Sequence, residues 1–71
     1  MEIKEAIKKI AKGDSLIALI AEMALESQEE IDGFAQFITD QFDNGSAPQL
    51  AAEHGFDVID TIITYYREKN Q

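Results

Sequence analysis

The residues of this chain best suited to chemistry are one histidine, His54, a few serines and many carboxylates. Zinc and di-iron sites in helical proteins need several His or Cys ligands, or paired Glu-x-x-His motifs. The chain has no Cys and no second His, so we predict no metal site and no cysteine nucleophile. We expect His54 in the last turn of a helix, where a cation complements the helix dipole, and interpret it as a capping or surface residue.

Asp40, Asp43, Asn44 and Gly45 have the residue types of a calcium-binding loop, in which carboxylates precede an obligatory glycine at the sixth position. The register does not fit. With Gly45 at position six, Ala51 occupies position twelve, where such loops need a bidentate Glu. We interpret this segment as a helix end followed by a turn.

Three serines, Ser15, Ser27 and Ser46, fall where helices are expected to begin, so helix capping explains them. No obvious base accompanies them that could activate a serine nucleophile. Paired carboxylates that act as acid and base need a pocket that separates their pKa values, and a chain of 71 residues has little volume for one. We therefore predict no catalytic residue, no cofactor and no enzymatic activity.

The elements that position these residues are predicted to be short helices. Apolar residues follow one narrow stripe in residues 2–12, with lysines on the other faces, and Gly13 ends this helix. Asp14 or Ser15 caps a second helix that runs to about Glu26. Because apolar residues cover a wide arc of this second helix, we expect it to be mostly buried.

Ser27 and Glu30 form a capping box that opens a third helix, which ends at the polar turn of residues 43–46. Residues 49–54 are predicted to form a fourth helix, with Gly55 as its left-handed stop. These two helices and the turn between them account for the middle of the chain.

The last segment, residues 58–66, is rich in β-branched and aromatic residues, so propensity alone favours a strand. A strand needs a partner, and the chain has no second β-rich segment. We therefore predict a helix capped by Asp57, with Tyr65 and Tyr66 facing the core; the alternative is a strand that pairs across a dimer. The predicted fold is an all-α compact bundle of four to five short helices, with residues 1–71 as a single acidic helical domain.

Residues 50–57 resemble the helix-turn-helix DNA-binding family over one short stretch, with a Leu-Ala start and a Gly four residues after Ala51. The resemblance fails at Thr61, where that pattern requires an apolar residue. The expected recognition helix also begins with Asp57 and Asp60, which a duplex carrying one phosphate charge per ~1.7 Å would repel. We keep a helix-turn-helix regulator only as a secondary alternative and predict no direct nucleic-acid binding.

Charge is distributed unevenly, because residues 13–66 carry eleven carboxylates and no Lys or Arg. With a net charge of −8, this pattern favours a positively charged partner over nucleic acid or an anionic membrane. The longest apolar stretch, residues 16–21, is far shorter than the roughly 20 residues of a membrane span, and no signal-type apolar block is visible. Without Cys, the chain fits a cytoplasmic location, so we predict a cytoplasmic protein with no membrane partner.

Four carboxylates oppose local helix electrostatics, since Glu22 and Glu26 lie toward the end of the second helix and Asp40 and Asp43 toward the end of the third. Glu22 and Glu26 also repel each other at i,i+4 spacing, by about 0.2–0.5 kcal/mol. Residues that oppose local physics are candidates for function, so we predict that these four bind a partner. The alternative is that they serve turns, a neighbouring helix start and solubility.

Apolar contact with a partner or a second subunit is predicted for residues outside or at the edge of the main stripes, Leu25, Phe37 and Ile63, and for Tyr65 and Tyr66, because Tyr is favoured at interfaces. The alternative is that neighbouring helices bury them. A chain of 71 residues without disulfides has a marginal core, so a homo-oligomer, most simply a dimer, is also predicted.

Together these features predict a non-enzymatic protein-interaction or regulatory module, such as an inhibitor, whose acidic helical surface binds a basic protein. Narrower versions are a nucleic-acid mimic and a small host-modulating or anti-defence protein. The main alternative is a structural homo-oligomer with a solvated acidic surface.

Overall fold

The computed structural model describes residues 1–70 and contains no β-strand in that range. Five α-helices follow one another along these 70 residues: α1 (Ile3–Ala11), α2 (Leu16–Ala24), α3 (Gln28–Gln41), α4 (Ala47–His54) and α5 (Phe56–Lys69). They form one globule of 26 × 26 × 20 Å. The predicted all-α bundle is confirmed, and residues 58–66 lie within α5.

Four of the helices close a ring of contacts, because α1 packs on α2, α2 on α3, α3 on α5, and α5 on α1. Helix α4 packs on α5 and on the turn before it. Six isoleucines, each less than 2% exposed, fill the core: Ile7, Ile10, Ile31, Ile38, Ile59 and Ile62. The β-branched residues of α5 therefore serve core packing, which overrides their strand propensity.

Serine caps begin two of the helices. Ser15 Oγ accepts a hydrogen bond from the Ala18 N–H at 3.3 Å, and Ser27 Oγ accepts one from the Glu30 N–H at 3.2 Å. Each bond satisfies a backbone donor that the first turn leaves unpaired. The predicted starts of α2 and α3 are thereby confirmed, with Ser15 as the cap of α2.

Two other predicted caps are wrong. Ser46 makes no side-chain cap to α4, because its backbone (φ −89°, ψ 7°) is not in the extended conformation that aims a side chain at the first turn. Asp57 lies inside α5, which already begins at Phe56. Gly55, at φ +90° and ψ 139°, both ends α4 and begins α5, in a backbone conformation that residues other than glycine rarely adopt.

The prediction that α2 is mostly buried is also wrong. Its alanines, Ala18, Ala21 and Ala24, are the buried residues of this helix. Four of its five large apolar side chains face solvent instead: Leu16 is 73% exposed, Leu19 60%, Ile20 37% and Met23 64%, whereas Ile17 is half-buried against the core. The physical reason is that α2 packs mainly on α1 and α3, and no further helix covers its outer face.

Candidate functional site

The exposed apolar face of α2 is the most unusual surface of the molecule. It consists of Leu16, Leu19, Ile20 and Met23, which we call the α2 ridge. These residues recur at intervals of 3, 4 and 7 positions, so they lie on one side of the helix. The alanines at 18, 21 and 24 occupy the opposite side and are buried. The packing of α2 is therefore inverted, with its alanines buried and four of its five large apolar residues exposed; Ile17, the fifth, is half-buried against the core.

An open groove of about 370 Å³ separates the α2 ridge from α3. It is lined by Ile20, Met23 and Ala24 from α2 and by Glu30, Gly33, Phe34 and Phe37 from α3. The Phe34 and Phe37 rings lie 6.5 Å apart between centroids and are tilted by 36°, an arrangement typical of a favourable aromatic pair. The only charged side chain in the lining is the Glu30 carboxylate, so the groove is apolar with an acidic edge. We refer to it as the α2–α3 groove.

Gly33 lines this groove on the α3 side. It lies inside α3, where glycine costs about 0.5–1 kcal/mol relative to alanine. A Cβ built on Gly33 would have no atom within 4 Å, so no close packing in the fold requires glycine here. Gly33 also lines the polar cleft between α3 and α5, so it lies at the boundary between the groove and that cleft.

The predicted partner-binding carboxylates are exposed, but the structure does not bring all four together. Glu22 and Glu26 lie near the turn that joins α2 to α3, whereas Asp40 and Asp43 lie at the other end of α3. The 14 residues of α3 span about 21 Å, which separates the two pairs. By helical spacing, Glu22 flanks the α2 ridge on the side of Leu19, away from the groove, whereas Glu26 lies in the turn after α2.

Asp43 differs from the other three carboxylates, because its Oδ1 lies 3.0 Å from Arg67 Nη2. Both side chains are more than half exposed, so this ion pair is a surface contact between the turn after α3 and the end of α5. Glu22, Glu26 and Asp40 make no ion pair within residues 1–70. The sequence did not reveal that Asp43 has a cation of its own chain beside it.

Of the predicted apolar contact residues, Phe37 is 37% exposed and lines the groove. Ile63 is only 5% exposed and belongs to the core, because α5 is surrounded by α1, α3 and α4. Leu25, Tyr65 and Tyr66 are half-buried and pack against that core. The alternative for these residues was burial by neighbouring helices. Ile63 is buried in this way, and Leu25, Tyr65 and Tyr66 are partly buried.

A second polar cluster lies between α3 and α5, centred on Asp32. Tyr65 Oη donates to Asp32 Oδ1 at 2.5 Å, Lys69 Nζ lies 2.8 Å from Asp32 Oδ2, and Gln28 Nε2 donates to both Tyr65 Oη and Asp32 Oδ1. The hydrogen bonds from Lys69 and Tyr65 lower the pKa of Asp32 below its ordinary value of 3.8. The hydrogen bond to Asp32 raises the pKa of Lys69 above 10.5.

Both groups are therefore held in their charged forms at neutral pH. A general acid or base works best when its pKa lies near the operating pH, and these shifts move both values away from it. The cleft beside the cluster, about 410 Å³ and lined also by Gln36 and Asn70, is polar. The cluster connects α3 to α5, and no local pattern in the sequence pairs Asp32 with residues of α5.

His54 ends α4 as predicted, but its side chain is only 10% exposed, so the surface interpretation is wrong. Its Nε2 is buried without a hydrogen-bond partner within residues 1–70 and lies 3.7 Å from Glu53 Oε2. In that part of the chain no group of three or more His, Cys, Asp or Glu side chains is placed to hold a metal ion. None of the helices described is long and apolar enough to cross a membrane.

Comparisons of the chain with protein-family models, curated proteins and solved structures gave no match. The site must therefore be interpreted from its own geometry. Sequence reasoning missed the α2 ridge because it treated every apolar residue of α2 as a core candidate. The alanines at three-residue spacing were the signal that could have identified the buried face, since small side chains allow neighbouring helices to approach closely.

Proposed function

We propose that this protein is a non-enzymatic, cytoplasmic protein-binding module with a regulatory or inhibitory role, and that its α2–α3 surface engages a basic surface of another protein. The observation that carries the proposal is the inverted packing of α2, which leaves Leu19 and Met23 more than half exposed beside the carboxylates of Glu22 and Glu26. Burying a Leu or Met side chain fully is worth about 1.5–3 kcal/mol, which this fold largely forgoes. Contiguous apolar patches bordered by polar residues often mark interaction sites.

Charge supports a basic partner. Glu22, Glu26 and Asp40 have no cation of their own chain beside them in residues 1–70, and residues 13–66 contain none. Unpaired carboxylates of one sign attract a partner of opposite charge and raise its association rate. Because Asp43 is already paired with Arg67, we expect it to contribute less to partner binding than Glu22, Glu26 and Asp40 do.

An affinity pull-down from a native cell lysate tests this proposal. We expect the wild-type chain to retain a basic protein that is lost both by the Glu22→Gln, Glu26→Gln double variant and by the Leu19→Gln, Met23→Gln double variant. Matched controls, Glu68→Gln and Phe56→Gln, change an exposed carboxylate and an exposed apolar residue of α5 and should retain it. Equal recovery by wild-type and α2 variants would contradict the proposal.

A structural homo-oligomer is the second candidate, and the spacing of the α2 ridge is what favours it. Residues at intervals of 3, 4 and 7 positions are typical of a helix face that packs on another helix, including the same helix of a second copy. In that case the wild-type chain would retain only itself, and the α2 ridge variants would be monomers at concentrations where the wild type is a dimer.

A further inference from the structure

The geometry of the α2–α3 groove points to the form of the partner, and we propose that the groove receives an amphipathic α-helix with lysines or arginines along its flanks. This inference rests on the proposed function and makes it more specific. It concerns the shape and charge of the bound segment, whereas the proposed function concerns only the surface that this chain presents.

Two neighbouring helices form the groove. Helices α2 and α3 pack on each other and are joined by a short turn, so they present two neighbouring rods with a furrow between them. A third helix laid in such a furrow contacts both rods through side chains at i, i+3, i+4 and i+7. The nine residues of α2 span about 13 Å, which matches roughly two to three turns of a bound helix.

Carboxylates border the surface that the bound helix would cover. Glu30 lies in the groove lining itself, Glu22 lies on the far side of the α2 ridge, and Glu26 lies in the turn after α2. No Lys or Arg occurs between residues 13 and 66 to offset these carboxylates. A helix with cations on both flanks would pair with them, and its long Lys or Arg stems would cover the edges of the apolar surface.

Gly33 is an independent observation in favour of an occupant. Within α3 an alanine would favour the helix more than glycine does, and the space for its Cβ is free. The fold therefore has a small residue where local stability favours a larger one, at an exposed position that the groove shares with the polar cleft between α3 and α5. Small residues at such points allow a bound helix to approach closely.

A second copy of this chain fits the surface less well. The exposed parts of the α2 ridge and Phe37 together equal fewer than three fully exposed side chains. Full burial of one such side chain is worth about 1.5–3 kcal/mol at about 25 cal/mol per Å², so the apolar surface available is roughly 150–350 Å². A stable interface of standard size needs about 800 Å² from each partner, so this apolar surface would supply less than half of it. Two copies that meet ridge to ridge would also bring the Glu22 carboxylates of both chains near each other, and no Lys or Arg lies between residues 13 and 66 to offset them.

The test uses a designed peptide of about 18 residues, long enough to be helical, with Leu along one face and Lys on both flanks. A matched peptide carries Glu in place of every Lys. Binding of each labelled peptide is measured by fluorescence anisotropy at about 0.15 M salt, where exposed charges more than about 8 Å apart are largely screened. The protein variants are Met23→Gln on the ridge, Gly33→Leu in the groove, and the α5 controls Phe56→Gln and Glu68→Gln.

We expect the Lys peptide to bind the wild type at least about tenfold more tightly than it binds Met23→Gln or Gly33→Leu, a difference of about 1.4 kcal/mol or more. The control variants should bind within about twofold of the wild type, and the Glu peptide at least about tenfold more weakly. Equal binding of the Lys peptide to all variants would show diffuse charge attraction and overturn the proposal. Equal binding of the Glu peptide, or a dimer that Met23→Gln dissolves, would overturn it as well.

The pull-down separates failure of this inference from failure of the proposed function. If the peptide does not distinguish the groove variants while the Leu19→Gln, Met23→Gln chain still loses a captured protein, the helical occupant is wrong and protein binding stands. If both experiments show no dependence on α2, both proposals are wrong.

Discussion

The inverted packing of α2 makes a prediction that can be tested without any partner: replacing Leu19 by Gln should cost little stability. Leu19 is 60% exposed, so about two-fifths of its side chain is buried. Full burial of a leucine is worth about 1.5–3 kcal/mol, which gives an expected loss of about 0.6–1.2 kcal/mol. Leu and Gln have nearly equal helix propensity, so the substitution does not weaken α2 for a second reason.

The matched comparison is Ile38→Ala in the core. Ile38 is completely buried, and truncation of a buried isoleucine costs about 2–5 kcal/mol because it also leaves a cavity. In a domain of this size, that loss lowers Tm by at least about 8 °C, and a chain that fails to fold meets the same expectation.

Urea unfolding followed by circular dichroism measures both variants against the wild type, at two protein concentrations that differ by about tenfold. Agreement between the two concentrations shows that self-association does not contribute to the measured stability. A loss of more than about 2 kcal/mol for Leu19→Gln at both concentrations would refute the reasoning, because it would place this side chain in the core.

Three further predictions concern single positions. Gly33→Ala should raise the free energy of unfolding by about 0.4–1 kcal/mol, since its Cβ enters free space, and a loss of stability in urea unfolding would contradict this. Gly55→Ala should lower it by about 1–3 kcal/mol, because alanine at φ +90° is strained; an unchanged thermal midpoint would be the opposing result. Asp32→Asn should be less stable than the wild type near neutral pH. Because the folded-state pKa of Asp32 is lowered, its contribution is present above about pH 3.8 and is lost as the pH falls below that value. Because the folded-state pKa of Lys69 is raised, the contribution of the same ion pair is also lost as the pH rises above 10.5. A difference in unfolding free energy between wild type and Asp32→Asn that stays constant from pH 3 to pH 11 would contradict this prediction.

The helices could be predicted from the sequence because their signals are local. Serine caps at 15 and 27 and the glycine at 55 act within one turn of the backbone, and each defines a helix end in the structure. The exclusion of a strand in residues 58–66 needed only one non-local fact, the absence of a second β-rich segment. Asp57 failed as a cap because Gly55 at positive φ reverses the chain earlier than the sequence suggests.

The site could be predicted less well, because exposure depends on which helices are neighbours. Nothing local distinguishes Leu19, which is exposed, from Ile62, which is buried. The difference arises because α5 lies against three other helices and α2 mainly against two. The acidic character of the surface was visible in the sequence, whereas the groove beside Phe37 and the pairing of Asp43 with Arg67 depend on the packing of distant segments.

The most direct test of protein binding through the α2–α3 surface is site-specific photo-crosslinking in a native lysate, with a photoreactive phenylalanine analogue at position 23 or, as a control, at position 56. Met23 and Phe56 are exposed to similar extents, 64% and 67%, so accessibility does not bias the comparison. We predict covalent adducts with another protein from position 23 and none of that protein from position 56. Equal adducts from both positions, or adducts at position 23 only with further copies of this chain, would contradict the account.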